Sequence, residues 1–293
     1  MGSFQQPMGS FQQPTGSIQQ PSGDIHQFLE WVDSHAHLHS KPYAQDLTEV
    51  LARSHAAGIH TILLPGTDLE DSQAAIDLAL GHPGQGLVVS VGVHPHDAKS
   101  LTPEALQQLR ELAVQYRGAL VVAIGEIGLD YHYDFSPRDV QRDVFRTQLE
   151  MAQELDLPVI VHDREATADC LAVIAEVAAQ RSFREIPGVF HCYSGSVETA
   201  AILLQKGFYL GFDGPITFKN ARKALEVIAS CPRERLVLET DSPYLTPVPH
   251  RGHRNSPEYI PLIGAKVAEI WGCDIAEVAA RTTANARRLF GLT

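Results

Sequence analysis

The chain has 293 residues, a formal net charge of −12 at pH 7, 44% hydrophobic residues and 20% charged residues. This composition excludes a wholly disordered chain and leaves ample apolar material for a core. No apolar run approaches the about 20 residues that span a bilayer, so the sequence predicts no membrane association. The acidic balance argues against a large non-specific nucleic-acid surface, which needs a basic face. Fourteen histidines are the one unusual feature of the composition, and their positions decide what they do.

The first 21 residues are three imperfect copies of a seven-residue unit: MGSFQQP, MGSFQQP and TGSIQQP. Each unit contains Gly and Pro, which oppose a helix, so the period of seven does not predict a coiled coil. We expect residues 1–23 to form a low-complexity, disordered tail without charge. The tail is either a docking peptide or an extension without a role. The remaining residues, 24–293, are predicted to form one domain.

Within this domain, short apolar runs alternate with helical patterns. The runs contain Val, Ile and Leu without clean alternation, which is typical of a parallel sheet buried on both faces. Eight strand–helix units in about 270 residues match the usual size of a (β/α)8 TIM barrel, an α/β fold. The predicted strands are 31–38, 61–66, 87–95, 120–130, 158–163, 188–194, 209–216 and 235–241.

Local signals place several helix ends. Thr102 followed by Pro103 predicts a helix that begins with a Thr cap and a first-turn proline, and Ser136 followed by Pro137 predicts a second helix of the same kind. Gly207 is expected just beyond the end of a helix that covers VETAAILLQK.

The four cysteines are scattered along the chain without a CxxC pair. This spacing indicates free thiols rather than a disulfide framework. The N-terminus has neither the charged nor the apolar region of a secretory signal. Together these features predict a cytoplasmic protein.

Metal-competent side chains fall at the ends of five predicted strands. His35 and His37 alternate on the first strand and therefore share a face. In a (β/α)8 barrel all carboxyl ends meet at one rim, so we expect the whole set to converge there. The set consists of His35, His37, Glu126, His162, His191 and Asp241. Four imidazoles and two carboxylates suffice for two divalent ions, and Glu126 can bridge them.

Metal-bound water is a nucleophile near neutral pH, so this set predicts a hydrolase in which Asp241 and Glu126 are the catalytic carboxylates. His94, Arg164 and Arg251 are predicted to bind substrate, because arginines at such a mouth suit phosphate or carboxylate groups. Two further sets are expected to play lesser parts. Asp130 and Glu239 are candidate partners of the metal ligands, and His39, His132 and His253 are weaker candidate ligands.

The chain resembles the TatD family of metal-dependent deoxyribonucleases, within the amidohydrolase-like barrels. The matching motifs are DSHAHLH (33–39), GVHPH (92–96), GEIGLDYH (125–132), HDRE (162–165), HCYSGS (191–196), ETDSPYL (239–245) and RTTANARRLFGL (281–292). The resemblance implies the same fold and places the family's metal ligands on the six residues named above. The chain departs from the family at His39, where Asp is more usual, at Tyr193, where Phe is more usual, and in the basic stretch that includes His253.

The resemblance implies 3′–5′ exodeoxyribonuclease activity on single-stranded DNA ends, through a hydroxide activated by two metals. The ions are expected to be Mg, Mn or Zn. The substrate partner is then a DNA strand end, and no obligate protein partner is evident. Two alternatives remain: a metallo-hydrolase of amides, lactones or phosphotriesters on the same barrel site, and a non-catalytic interaction scaffold.

Overall fold

The structure, a computed structural model, describes residues 29–292. The predicted tail and the predicted start of the domain at residue 24 lie outside the described residues. Between residues 29 and 292, no helix has both the length and the apolar character needed to cross a bilayer.

Eight parallel strands follow one another in chain order around one sheet, with helices between them. The strands are β1 (Trp31–Asp33), β2 (Ile59–Pro65), β3 (Leu87–Val91), β4 (Val121–Asp130), β5 (Val159–Arg164), β6 (Gly188–Phe190), β7 (Tyr209–Phe212) and β8 (Leu236–Leu238). The helices are α1 (Leu47–Ala56), α2 (Leu69–Gly81), α3 (Pro103–Gln115), α4 (Arg138–Glu154), α5 (Thr167–Gln180), α6 (Val197–Gln205), α7 (Arg222–Ser230), α8 (Ile260–Trp271) and α9 (Ile275–Phe290). The predicted (β/α)8 barrel is therefore confirmed.

The interior of the barrel is one apolar cluster to which every strand contributes. Its strand members are Val32, Leu63, Val88, Val122, Ala123, Ile160, Val189, Tyr209 and Val237. Leu289 and Phe290 of α9 join this cluster. In the same helix, the Asn285 side chain donates a hydrogen bond to the Leu236 carbonyl at the start of β8. Helix α9 therefore covers the amino-terminal end of the barrel and leaves the opposite end open.

The seam between β8 and β1 closes through residues that lie beyond the regular strands. Ser34 N donates to Leu238 O at 3.0 Å, Asp241 N donates to His35 O at 2.9 Å, and His37 N donates to Ser242 O at 2.7 Å. The predicted strands 31–38 and 235–241 are therefore too long, because these residues pair irregularly across the seam. This closure brings the segments around His35 and Asp241 together.

Two of the three predicted helix ends are confirmed. Thr102 caps α3 by accepting a hydrogen bond from Ala105 N, and Gly207 follows α6 with φ of 91°. The prediction for Ser136 is wrong: α4 begins at Arg138 with Pro137 in the capping position. The Ser136 hydroxyl is instead used in tertiary contacts, since it donates to His96 O at 2.8 Å and accepts from Lys99 N at 3.1 Å.

Close packing of α8 against β1 gives a prediction for stability. Gly264 of α8 faces Trp31, which is 1% exposed, and a Cβ at Gly264 would overlap the indole ring. We expect Gly264→Ala to lower the free energy of unfolding by about 1–3 kcal/mol, the usual cost of overpacking a core. The matched control is Gly81→Ala at the end of α2, where a Cβ meets no atom within 4 Å. Urea denaturation of both variants tests this, and an unchanged midpoint for Gly264→Ala would contradict it.

Candidate metal centre

The six predicted ligands converge at the open end of the barrel, although two of them are not at strand ends. His35, His37, His191 and Asp241 lie just beyond β1, β6 and β8, whereas His162 lies within β5. Glu126 does not close its strand as predicted, because β4 continues to Asp130. Because Glu126 and His162 lie within their strands, the candidate centre extends from the open end into the barrel.

A bulge in β4 explains how Glu126 enters the site from mid-strand. Ile124 pairs with Val159 and Ile127 pairs with Val161, so three steps along β4 face two steps along β5. Such a bulge redirects a side chain that regular alternation would place elsewhere. Gly128 then pairs with His162, and a Cβ at Gly128 would collide with the His162 carbonyl. This close approach of β4 and β5 brings Glu126 and His162 together.

One oxygen of Glu126 faces the histidines of β5 and β6. Glu126 Oε1 is 2.8 Å from His191 Nε2, 3.0 Å from His162 Nδ1 and 3.3 Å from His94 Nε2. His162 Nδ1 is itself 3.3 Å from His191 Nε2. These atoms define one half of the centre.

The other oxygen of Glu126 faces the seam of the barrel. Glu126 Oε2 is 3.3 Å from His35 Nε2 and 3.9 Å from His37 Nε2. Asp241 Oδ1 is 3.5 Å from His37 Nε2 and 3.8 Å from His35 Nε2. Glu126 thus stands between two sets of donors, with one carboxylate oxygen toward each.

The donor set fits divalent metal binding. Three combinations place their donor atoms within 4.8 Å of one another: His35, His37 and Glu126; His35, His191 and Asp241; and His94, Glu126 and His162. His35 Nε2 and His37 Nε2 are 3.2 Å apart. Two nitrogens at about 2.1 Å from one tetrahedral ion lie about 3.4 Å apart. A shared cation therefore accounts for imidazole nitrogens that face each other at this distance.

The charge distribution also suits a cation. Burial opposes the ionisation of Glu126, yet the imidazoles of His191, His94 and His35 hold the pKa of this carboxyl well below its usual range. Burial likewise opposes ionisation of Asp241, but its hydrogen bond with His37 keeps the pKa of the carboxyl below its usual value. Both carboxyls are therefore anionic at neutral pH, as metal ligands must be.

A carboxylate behind the histidines orients the His162 ring, as expected for Asp130, whereas Glu239 lies behind His191 without a hydrogen bond to it. His162 Nε2 is 3.2 Å from Asp130 Oδ2, which leaves Nδ1 free to face the centre. His191 Nδ1 is 3.6 Å from Glu239 Oε1. Such outer carboxylates select the tautomer of a ligating histidine and increase its basicity.

His94 lies close enough to Glu126 and His162 to be a third metal ligand with them. Its hydrogen bonding indicates instead that the ring donates a hydrogen bond toward the centre. His94 Nδ1 accepts a hydrogen bond from His96 N at 3.2 Å. Burial lowers the pKa of His94 to about 4, so the ring is neutral near pH 7 and its proton lies on Nε2. His94 therefore presents an N–H toward Glu126 Oε1, and the predicted substrate contact stays a prediction.

The predicted substrate arginines lie at the rim. Arg164 is exposed at the end of β5, with its guanidinium 4.7 Å from the centre of the Tyr133 ring. Arg251 is exposed on the loop after β8, with its guanidinium 4.2 Å from the centre of the Phe218 ring. Both cations are thus held on aromatic rings around the opening.

The weaker candidate ligands lie apart from the donor set. His39 Nε2 is 3.0 Å from Asp71 Oδ2, and His132 Nδ1 is 2.9 Å from Glu165 Oε1. His253 is exposed on the loop after β8. None of the three belongs to the donor combinations found among the described residues.

A cleft of about 710 Å³ opens from the centre toward β7 and α7. His162, His191 and Asp241 line its inner end, and Arg164 and Phe218 line its outer part. Asp213 directly follows β7 and also lines the cleft, with Oδ2 buried and without a hydrogen-bond partner. Asp213 is not among the predicted site residues, because the seventh strand was predicted to continue to residue 216 and Asp213 therefore fell within it.

An eight-stranded barrel with imidazoles and carboxylates gathered at its open end defines the class of metal-dependent hydrolases. Comparison with known proteins identifies the family. Residues 32–291 match the model of the TatD related DNase family, and the chain belongs to that family.

Relatives of known name cover nearly the same residues. An uncharacterized metal-dependent hydrolase, YabD of Bacillus subtilis, is 42% identical over 88% of this chain and 98% of its own length. The 3′-5′ ssDNA/RNA exonuclease TatD of Klebsiella pneumoniae is 38% identical over 89% of this chain and 97% of its own length. The crystal structure of YjjV, a TatD homologue of Escherichia coli, superposes with a TM-score of 0.82 at 32% identity and covers 90% of this chain and 98% of that one.

Proposed function

We propose that the protein is a 3′–5′ exodeoxyribonuclease that hydrolyses phosphodiesters at the ends of single-stranded DNA and uses two divalent ions. The observation that carries this proposal is the position of Glu126, whose two oxygens face separate donor sets. The 38% identity to a bacterial enzyme named as a 3′-5′ ssDNA/RNA exonuclease supports the choice of substrate.

Each donor set would hold one ion. His35, His37 and Asp241 would hold the first, His162 and His191 would hold the second, and Glu126 would lie between them. Divalent ions bound there would polarise a phosphoryl oxygen and lower the pKa of water. Mn, Zn and Mg are the candidates, and a donor set this rich in imidazole suits Zn or Mn better than Mg.

The protein's own groups perform the remaining tasks. Asp241 is partly exposed to the cleft, where its carboxylate can orient the attacking water and accept its proton. Arg164 and Arg251 would bind phosphate oxygens on either side of the scissile bond. His94 can donate a hydrogen bond from Nε2 to a substrate oxygen at the floor of the site. Asp130 holds His162 in position through a hydrogen bond, and the Glu239 carboxylate lies 3.6 Å behind His191.

An exonuclease assay tests the proposal. The unaltered protein is incubated with single-stranded DNA that carries a label at one end, with Mg, Mn or Zn, and with Asp241→Ala as the inactive control. We expect stepwise shortening from the 3′ end that a chelator stops and that Asp241→Ala does not show. Shortening from the 5′ end would contradict the polarity, and hydrolysis of only amide, lactone or phosphotriester substrates would favour the alternative hydrolase.

The charge of the protein predicts a shallow salt dependence for strand binding. The net charge is −12, and the cations at the opening are few. Arg164, Arg222 and Lys223 line the cleft, Arg222 is paired with Glu226, and Arg251 stands beside the cleft. Neutralising about three phosphates of a single strand gives a slope of about −2 in log K against log salt concentration. Fluorescence anisotropy of a labelled strand between about 50 and 200 mM salt measures this slope. A slope that requires six or more phosphate contacts would contradict binding at a strand end.

A further inference from the structure

Two exposed aromatic rings stand beside the metal centre without a role in the mechanism above. Tyr133 and Phe135 lie on the loop between β4 and α4 and are 48% and 57% exposed. Their rings stack on each other, with centroids 5.4 Å apart and an interplanar angle of 17°. We call this pair the aromatic platform. Exposed apolar surface next to a site marks a place where a ligand binds.

The loop that carries the platform is held by specific bonds. Asp134, between the two rings, has φ of 52°, and its carboxylate accepts hydrogen bonds from Arg138 Nε at 3.0 Å and Nη2 at 2.7 Å. Tyr133 N donates to Asp130 Oδ1 at 2.9 Å, and Lys99 Nζ donates to the Phe135 carbonyl at 2.8 Å. The two rings are therefore presented to solvent in a fixed arrangement, which reduces the entropy lost on binding.

The platform is continuous with the metal centre. The Phe135 ring is 4.8 Å from the His96 ring, and the His96 ring is 6.3 Å from that of His162. Asp130 joins the two regions, because Oδ1 accepts from Tyr133 N while Oδ2 lies 3.2 Å from His162 Nε2. A group stacked on the platform would therefore belong to a substrate whose reacting bond lies at the centre.

A cation accompanies the rings. The Arg164 guanidinium lies 4.7 Å from the centre of the Tyr133 ring, and Arg164 also lines the cleft. A flat aromatic surface with an adjacent guanidinium matches the two chemical parts of a nucleotide, since the base stacks on the ring and the phosphate pairs with the cation. An amide or lactone substrate offers no such combination.

We propose that the aromatic platform is a nucleobase-stacking subsite that binds a base of the nucleotides next to the scissile phosphate and thereby selects single strands. This inference rests on the proposed nuclease function. Bases in a duplex are already stacked and paired, whereas an unpaired base can leave its neighbours and stack on a protein ring. The platform would then contribute to substrate affinity and leave the hydrolytic groups unchanged.

The test compares the unaltered protein with the double variant Tyr133→Ala/Phe135→Ala. The substrate is a labelled ten-residue oligothymidylate, and the competitor is a strand of the same length with tetrahydrofuran residues in place of nucleosides. Loss of a stacking aromatic weakens single-strand binding by about 10-fold or more. We expect KM for the oligothymidylate to rise by about this factor. The inhibition constant of the base-free strand should rise less, because its phosphates lose only the contact between Arg164 and the Tyr133 ring. Hydrolysis of bis(4-nitrophenyl) phosphate should show the same kcat in both proteins.

Matched variants separate stacking from general surface effects. Tyr133→Phe keeps a ring and should keep KM, whereas Phe135→Leu keeps an apolar side chain without a ring and should raise it. Leu80→Ala and Val114→Ala remove exposed apolar side chains on α2 and α3 and should leave KM unchanged. Because both platform rings are exposed, thermal unfolding of the double variant should match that of the unaltered protein.

Two results would overturn the inference. An unchanged KM in the double variant would show that the platform does not contact substrate. An equal loss of affinity for the base-free strand would show that the loop acts on the backbone rather than on bases. Failure of the proposed function is distinguishable, since the unaltered protein would then hydrolyse bis(4-nitrophenyl) phosphate but not the oligothymidylate.

Discussion

Asp241→Asn should abolish metal-dependent hydrolysis while the barrel stays folded. Asp241 has φ of 53°, a backbone conformation that Asn tolerates far better than Ala, so the amide variant removes the charge without straining the seam. The change leaves His37 Nε2 without the carboxylate oxygen that lies 3.5 Å away. Loss of groups that merely orient metal ligands costs about 10- to 100-fold in affinity or activity, so we expect loss of the carboxylate to cost more than about 100-fold.

Three measurements check this expectation. The rate of DNA hydrolysis should fall, the metal content per chain should fall, and the circular dichroism spectrum should not change. Glu126→Gln should give the same pattern with a larger loss of metal, because Glu126 faces both donor sets. Glu165→Gln is the matched control, since Glu165 is exposed near the rim and its side chain contacts His132. Wild-type rates in Asp241→Asn would show that the assignment of Asp241 is wrong.

Asn255→Ala should lower both stability and activity, because Asn255 holds the loop that contains Asp241. Asn255 is fully buried, and its Nδ2 donates to Thr240 O at 2.7 Å and to Tyr244 O at 2.6 Å. Its Oδ1 accepts from Ser256 N at 2.9 Å. Each buried polar group left without a partner costs about 1–3 kcal/mol. The substitution leaves the Thr240 carbonyl, the Tyr244 carbonyl and Ser256 N without the Asn255 side chain, and water can satisfy some of these groups in the vacated space. We therefore expect the free energy of unfolding to fall by about 2–5 kcal/mol.

Urea denaturation measures the loss of stability. The hydrolysis rate, measured at a urea concentration well below the unfolding midpoint, shows whether the loop that contains Asp241 keeps its active arrangement. Asn220→Ala is the control, because Asn220 is exposed and lines the same opening. A midpoint for Asn255→Ala equal to that of the unaltered protein would show that the backbone of residues 240–244 holds its shape without the side chain.

The sequence by itself determined the architecture and the chemical type of the site. Eight apolar runs separated by helical patterns specify a parallel barrel, because each run must be buried on both faces and each crossover needs a helix. In such a barrel all carboxyl ends meet at one rim. Residues as distant in the chain as His35 and Asp241 can therefore be placed together from topology alone. The expectation that Asp130 is a partner of a metal ligand also followed from the sequence. In the structure, Asp130 Oδ2 lies 3.2 Å from His162 Nε2.

Only the tertiary structure decided how the candidate metal ligands separate into two sets around Glu126 and which residues surround them. The bulge in β4 aims Glu126 into the centre from mid-strand, and the irregular β8–β1 seam sets Asp241 beside His37. Neither feature follows from a period of two, because register and closure depend on contacts between strands far apart in the chain. The same holds for Ser136, whose hydroxyl bonds to His96 O rather than capping α4.

The 14 histidines show this division most clearly. Their number and their places on predicted strands indicated metal binding. The distances among Glu126, His162 and His191 assign these three residues to one half of the centre. The hydrogen bond from His96 N occupies Nδ1 of His94, so Nε2 of that ring carries the proton and donates a hydrogen bond. Residue type and spacing thus predict which chemistry is present. The direction of each side chain, and with it the role of each group, depends on packing that only the folded chain provides.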